Sequence, residues 1–373
     1  MKVLILFLDS IRPNRLGTFN KKIKKNSFDY LIDSLGGDLY INAFTPGPDT
    51  PRSNSAFLTG IHPNKNGCDI RLKWPNFYLK DIENIFDFFD SKNYKIDCFS
   101  PVSEIRNGFY PKTKTPINFT ENENYLQFLK KLKLVENHLI FLSFPDLHKA
   151  IDDFGANKIA EKKGYELLTE ILSNVFKVHD KDLFDHILIY SDHGYKFSRE
   201  YKFQKSEFLL NYDRTNIFLL KRSKKQKKIF LKDQLISIED IFPLFKKIIL
   251  KQNLSINRKY VLIEDHLNFN VSHDQEIEQW ALAFKDYIYV RSKNRAVKFY
   301  NRGNKKVYGK DEILDNTLRL ESKSFRKFYD KDLSLKRYNK NFRDNNFKYS
   351  NNKPRKNNPK LLKRIYDLIS EFL

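Results

Sequence analysis

This 373-residue sequence predicts a mostly parallel α/β sheet with helices on both faces, followed by a smaller α+β subdomain of antiparallel strands. Three observations carry the prediction. Apolar runs of strand length recur with an aspartate just beyond each: Val3 to Leu8 before Asp9, Leu139 to Phe144 before Asp146, and Ile187 to Tyr190 before Asp192. Continuous apolar runs are what strands buried on both faces require. Between the second and third runs, Ala160 to Val175 has helical apolar spacing, and strand–helix alternation is the mark of a parallel sheet. After about Asp265 the texture changes to short paired strands, which suit antiparallel pairing.

In chain order, Met1 to Leu8 reads as a buried parallel strand rather than a secretory signal, because its apolar run is short and meets a charge with no small-residue cleavage site. A helix is expected near Asp81 to Phe89, a strand over Lys95 to Phe99 and a helix over Tyr125 to Leu132. The runs before Asp146 and Asp192 follow, with the Ala160 to Val175 helix between them. Then come strands at Thr215 to Leu220 and Tyr260 to Ile263, flanking a helix at Ile238 to Leu250. The expected boundary puts residues 1–265 in the main domain and 266–373 in a basic C-terminal subdomain, with strands at Trp280 to Ala283, Tyr287 to Arg291 and Val297 to Tyr300. Asn339 to Lys360, rich in Asn, Lys and Arg, reads as a solvated surface before a closing amphipathic helix, Pro359 to Phe372.

Hydrophobic residues at 40% and aromatics at 15% supply a core, and 12 Gly and 13 Pro exclude fibrous and low-complexity classes. Two cysteines, Cys68 and Cys98, exclude a disulfide framework and a four-thiolate zinc site, so a reducing, cytoplasmic location is expected and both read as buried spectators. No stretch reaches the roughly 18 apolar residues of a membrane span. The net charge of +22 favours an anionic partner. From Arg291 onward 24 Lys and Arg stand against 9 Asp and Glu, so most of the surplus lies in the last quarter. That region carries no aromatic ladder in a recognisable module, which argues against nucleic acid. The abundance of Lys, Asn, Ile and Phe also fits an AT-biased genome, which raises Lys without any binding role.

The topology brings acidic and imidazole groups at strand ends together: Asp9, Asp146 with His148, and Asp192 with His193. Hard oxygen ligands with one or two imidazoles suit Mg, Ca, Mn or Zn. Pro48-Asp49-Thr50-Pro51-Arg52-Ser53-Asn54 is a hydroxyl-rich turn opening into an apolar helix, which offers a nucleophile and a positive dipole end for a tetrahedral anion. Thr50 is equally a favoured helix cap. His138, His179 and His186 read as surface or capping residues.

These segments resemble the sulfatase branch of the alkaline phosphatase superfamily at five ordered places over about the first 290 residues. Phe7-Leu8-Asp9-Ser10 is similar to its opening strand and metal-binding Asp, and Thr50, nine residues before Thr59-Gly60, stands at its nucleophile position. Phe144-Pro145-Asp146-Leu147-His148 is similar to its mid-chain Asp/His site, and Tyr190-Ser191-Asp192-His193-Gly194 to its second metal-binding strand end. Lys205 and Arg214, before Ile217 to Leu219 and then Ile238 to Pro243, resemble the segment with its anion-binding Lys and the helix after it; Trp280 to Tyr289 resembles the strands beyond.

The resemblance implies an alkaline phosphatase-like fold and a metal-dependent ester hydrolase or transferase. Asp9, Thr50, Asp192, His193 and Asp146 would hold one or two divalent ions, Thr50 would attack, His148 and Lys205 would assist, and Arg52 and Asn54 would bind substrate. His266 or His273 would complete a second ion site. Sulfatases proper carry a Cys or Ser convertible to formylglycine at the nucleophile, with Pro two and Arg four residues later, where this chain has Thr50, Arg52 and Asn54. Thr cannot be converted, and it is the nucleophile of the family's phosphodiesterase and phosphotransferase members. Phosphate mono- or diesters are therefore the expected substrates, on a small molecule, a glycan or a lipid-linked intermediate. A sulfuric ester hydrolase, or an inactive homologue binding an anionic glycan or polymer, is the alternative.

Overall fold

The computed structural model describes residues 1–68, 82–101, 119–120, 124–155, 157–195, 210–252, 256–265, 278–292, 295–300, 305–327 and 329. Its strands are β1 (Lys2–Leu8), β2 (Gly37–Phe44), β3 (Lys95–Phe99), β4 (Phe119–Thr120), β5 (His138–Phe144), β6 (His186–Tyr190), β7 (Leu219–Ser223), β8 (Ile229–Ser237), β9 (Val261–Asp265), β10 (Gln279–Ala283), β11 (Tyr287–Ser292), β12 (Ala296–Tyr300) and β13 (Lys305–Tyr308). Its helices are α1 (Ser27–Leu35), α2 (Thr50–Thr59), α3 (Pro63–Asn66), α4 (Ile85–Ser91), α5 (Tyr125–Lys131), α6 (Asp146–Phe154), α7 (Lys158–Val178), α8 (Tyr212–Thr215), α9 (Ile241–Ile249) and α10 (Glu312–Glu321).

The first sheet has the order β4-β3-β5-β1-β6-β7-β2-β8, in which β7 alone runs against the others. β1 is central because every residue after Lys2 is apolar and buried. Its alternate side chains serve opposite faces, as the two-residue strand period requires. Leu4, Leu6 and Leu8 join the core under α1 and α7, while Val3, Ile5 and Phe7 join the core under α2, α4 and α9. The expected two-faced parallel sheet is therefore present. In register, Leu8 lies beside Phe144 and Phe7 beside Tyr190, so the residues following β1, β5 and β6 leave the sheet at one edge.

The second sheet, β13-β12-β11-β10-β9, is antiparallel throughout. A shared core of Phe44, Tyr212 and Leu235 with Val261, Ile263, Ala281 and Val290 joins it to the first sheet. β9 precedes the boundary expected at residue 265, yet its ladder with β10 makes it part of this second sheet. The strand expected at Thr215 to Leu220 begins later, because Thr215 and Asn216 give their N–H groups to Asn211 and Tyr212 carbonyls in α8. β2, β8 and α1 were not anticipated; in β2 the polar Asn42 interrupts the apolar pattern and is buried only because its amide donates to Asp233 at 2.8 Å. His138 is no surface residue: it opens central β5, fully buried, 2.7 Å from Asp97.

Cys68 and Cys98 are both buried. No described helix is long and apolar enough to cross a membrane. Lys205, His266, His273, the Asn339 to Lys360 stretch and the expected closing helix lie outside the described residues.

Candidate active site

The helix α2 is capped by Asp49, whose carboxylate accepts the Arg52 N–H at 3.0 Å, so capping is not the task of Thr50, the first helical residue. Asp followed closely by Pro51 is a helix-start signal that the sequence does contain. The Thr50 hydroxyl lies 3.4 Å from Nε2 of His193. His193 Nδ1 sits 2.9 Å from the Gly194 carbonyl, which can only accept, so Nδ1 donates there and Nε2 is the nitrogen turned toward Thr50 and Asp192.

Asp9, Asp192 and His193 converge, with one ligand atom from each lying within 4.8 Å of the others, and all three are buried. One oxygen of Asp192 accepts the N–H groups of Ser10 at 3.2 Å and His193 at 2.8 Å. Its other oxygen, fully enclosed, receives no hydrogen bond of ordinary geometry and faces His193 Nε2 at 3.3 Å. Two buried carboxylates and a converging imidazole nitrogen, with one carboxylate oxygen lacking an ordinary hydrogen bond, fit a divalent cation. Burial pushes Asp192 up to about 6, and the Asp9 charge adds to the rise. For Asp9 burial also acts upward, but His148, His193 and the Ser10 hydroxyl outweigh it and hold the group well below the ordinary carboxylate range.

Ser10 supplies a contact that sequence reasoning did not assign. It adopts the left-handed region at φ 67°, strained for a residue with a side chain. There its hydroxyl donates to Asp9 at 2.6 Å and lies 3.2 Å from His148 Nδ1. His148 reaches Asp9 at 3.3 Å from the third residue of α6, and α6 lies against α7 where Gly164 leaves no room for a side chain beside Leu147. The strand end of β6 is packed as tightly: a Cβ on Gly194 would stand 2.0 Å from the Asp213 carbonyl oxygen.

Three expectations change. Arg52, expected at the substrate, is 1% exposed and paired with Asp49 and Asp265. Asn54, expected beside it, is fully buried one turn into α2, where its carbonyl accepts the Tyr190 hydroxyl at 3.3 Å. Asp146 is the half-buried first residue of α6 and stands outside the Asp9, Asp192 and His193 set, because the helix turns His148 rather than Asp146 to Asp9. No second cluster of metal ligands forms among the described residues.

The His148 charge gives a pH prediction. Asp9 raises its pKa from 6.5 to about 10, against burial, although 41% of the side chain reaches solvent. A raised imidazole pKa stabilises the fold fully below the ordinary value and loses that contribution as pH climbs through the folded one. In the metal-free protein the His148 NMR titration should have its midpoint well above 6.5. Adding Mg or Zn should lower that midpoint, because an ion competes for the charge of Asp9. A metal-free midpoint near 6.5 would refute the pairing.

No protein-family model and no curated protein sequence matches the chain. Solved structures do. A 2-O GAG sulfatase aligns at 14% identity over 92% of each chain with a TM-score of 0.58. A member of the alkaline phosphatase superfamily from Vibrio parahaemolyticus aligns at 13% identity over 87% of each chain with a TM-score of 0.59. A protein solved with its substrate D-glucosamine-2-N,6-O-disulfate aligns at 9% identity over 92% of this chain and 98% of its own, with a TM-score of 0.55. The chain has the sulfatase and alkaline phosphatase fold. At these identities and coverages the likeness is one of architecture across nearly the whole chain. Within the sulfatase-like fold described here, the Asp9, Asp192 and His193 set occupies the carboxyl edge of the parallel strands, the usual ligand edge of open α/β sheets.

Proposed function

We propose that the chain is a sulfatase-family, divalent-metal-dependent hydrolase or transferase that acts on an anionic ester through the Thr50 hydroxyl. The observation that carries this reading is the position of that hydroxyl, freed from capping by Asp49 and 3.4 Å from His193 Nε2 at the Asp9/Asp192 carboxylates. A cation held by Asp9, Asp192 and His193 would supply Lewis-acid polarisation and favour the Thr50 alkoxide. The chain's own residues do the rest. His193, fixed by its bond to the Gly194 carbonyl, orients the hydroxyl. The N-terminus of α2 presents its positive dipole end to an anion. His148, partly solvent-accessible and protonated beside Asp9, is placed to balance substrate charge or give a proton to a leaving oxygen.

Phosphate esters are the first reading, because a threonine cannot become formylglycine. Sulfuric esters are the second, favoured by the sulfatase and the disulfated-sugar complex among the structural neighbours. Those neighbours also support an anionic sugar as the carrier. A cytoplasmic setting is inferred from the sequence alone, whose two cysteines are too few for a disulfide framework.

The test is elemental analysis of the purified chain with hydrolysis of p-nitrophenyl phosphate, bis-p-nitrophenyl phosphate and p-nitrophenyl sulfate under added Mn, Mg, Ca or Zn. Metal-dependent turnover of a phosphate ester is expected. Turnover of the sulfate alone would transfer the reading to sulfuric esters. Neither metal nor turnover would leave an anion-binding homologue.

A further inference from the structure

We infer that Arg52 and Asp265 are positioning residues: their buried ion pair ties the first turn of α2, and with it Thr50, to the end of β9, so the antiparallel sheet shares in setting the geometry of the candidate site. This rests on the reading of Thr50 given above.

The guanidinium of Arg52 is spent entirely on structure. Its Nε donates to Asp49 at 2.6 Å, one terminal nitrogen to the Glu264 carbonyl at 3.0 Å, and the other to Asp265 at 2.8 Å. Asp49 meanwhile caps α2, so one carboxylate is held by both the helix and the guanidinium. Thr50 lies between Asp49 and Arg52 in sequence and cannot shift without disturbing one of them. β9 also grips the chain on either side of α2. The Glu264 N–H donates to the Pro46 carbonyl at 3.0 Å before the helix. Beyond it, the Asn64 amide donates to the Glu264 carboxylate at 2.8 Å, and His62 Nε2 lies 3.2 Å from the Leu262 carbonyl.

Asp9, Asp192 and His193, by contrast, follow β1 and β6 of the other sheet. α2 itself packs on that first sheet, and its Ser53 hydroxyl donates to the Asp192 carbonyl at 2.7 Å, so the Arg52 fork ties the helix of Thr50 to the second sheet as well. That planar fork spans three acceptors, which a lysine ammonium on a flexible stem does not reproduce. Such a pair is weak evidence for stability, since apolar replacements are often as stable. Its consequence is geometry.

Asp265→Asn keeps the side-chain shape and an oxygen for Arg52 while removing the charge. In the full-length, metal-loaded chain, kcat should fall about 10- to 100-fold with KM within about twofold, as expected of a displaced reacting group. Bound metal per chain should be unchanged, and amide hydrogen exchange should quicken over residues 46–58 but not in β1 or β6. Where Asp265→Asn does not fold, Arg52→Lys serves with the same readouts. Wild-type kcat and exchange in the variant would overturn the inference. So would faster exchange spread through β1 and β6 with kcat and KM unchanged, which marks a purely structural pair. If the wild-type chain turns over no ester, the Thr50 reading fails and exchange alone decides: quickening confined to residues 46–58 upholds the tie, and its absence overturns it.

Discussion

Thr50→Ala is expected to lower turnover of the responsive ester by about 10⁴-fold or more, the scale on which a hydroxyl nucleophile is missed. Melting temperature and metal content should stay close to wild type. The separation of the two effects is what the structure makes specific. Loss of a true cap costs about 1 kcal/mol, but here Asp49 caps α2 and remains in place. The candidate ligands Asp9, Asp192 and His193 are likewise untouched. Thr50→Ser keeps the hydroxyl and should retain turnover within about tenfold, since the methyl group takes no part in attack. A variant Thr50→Ala that melts lower yet turns over ester like wild type would return Thr50 to a structural role.

Asp192→Asn should have opposite effects on stability and on function. In the metal-free chain Asp192 and Asp9 are like charges in one buried site, and one oxygen of Asp192 has no hydrogen bond of ordinary geometry, although the Thr50 hydroxyl acts to lower its pKa. The asparagine oxygen can still accept the Ser10 and His193 N–H groups, while its amide takes the place of the oxygen that faces His193 Nε2. Metal-free Asp192→Asn is therefore expected to be at least as stable as metal-free wild type, because a buried uncompensated charge is removed. Metal reverses the order. Cation at about 100 times its Kd should stabilise wild type by about 2.7 kcal/mol through mass action. The variant should gain nothing at that concentration, and its turnover should fall beyond the 10- to 100-fold seen when only a supporting neighbour of a ligand is removed. Calorimetric scans of both proteins with and without Mn or Zn measure this directly. Equal stabilisation of the two by metal would exclude Asp192 as a ligand.

The parallel sheet was legible because β1, β5 and β6 are buried on both faces and so are written as largely apolar runs, interrupted only by Lys2 at the start of β1, by His138 and Ser143 in β5 and by His186 at the start of β6. Their register then makes a shared site of Asp9, Asp192 and His193 nearly obligatory, since residues after neighbouring parallel strands leave at the same edge. β2 and β8 were not legible. β2 carries polar residues whose partners sit on a strand almost two hundred positions away, as Asn42 does with Asp233. Periodicity is a local signal and does not see such a partner.

The same limit explains the substrate-side residues. Sequence position placed Arg52 and Asn54 on the turn of Thr50, and they are there. Which way a helical side chain faces depends on what the turn packs against, and the end of β9 draws Arg52 inward to Asp265. Asp146 and His148 share one strand end, yet only His148 reaches Asp9, because α6 begins at Asp146 and rotates the two apart. By itself the sequence determined the fold class, the buried strands and the identities of the converging carboxylates and imidazoles, all of which follow from local pattern. Tertiary structure alone decided the hydrogen bond that turns Nε2 of His193 toward Thr50, the left-handed Ser10 that bridges Asp9 and His148, and the diversion of Arg52 into a strut. Each depends on groups brought together only when distant segments pack, where burial makes every unpaired charge and donor costly enough to require a partner.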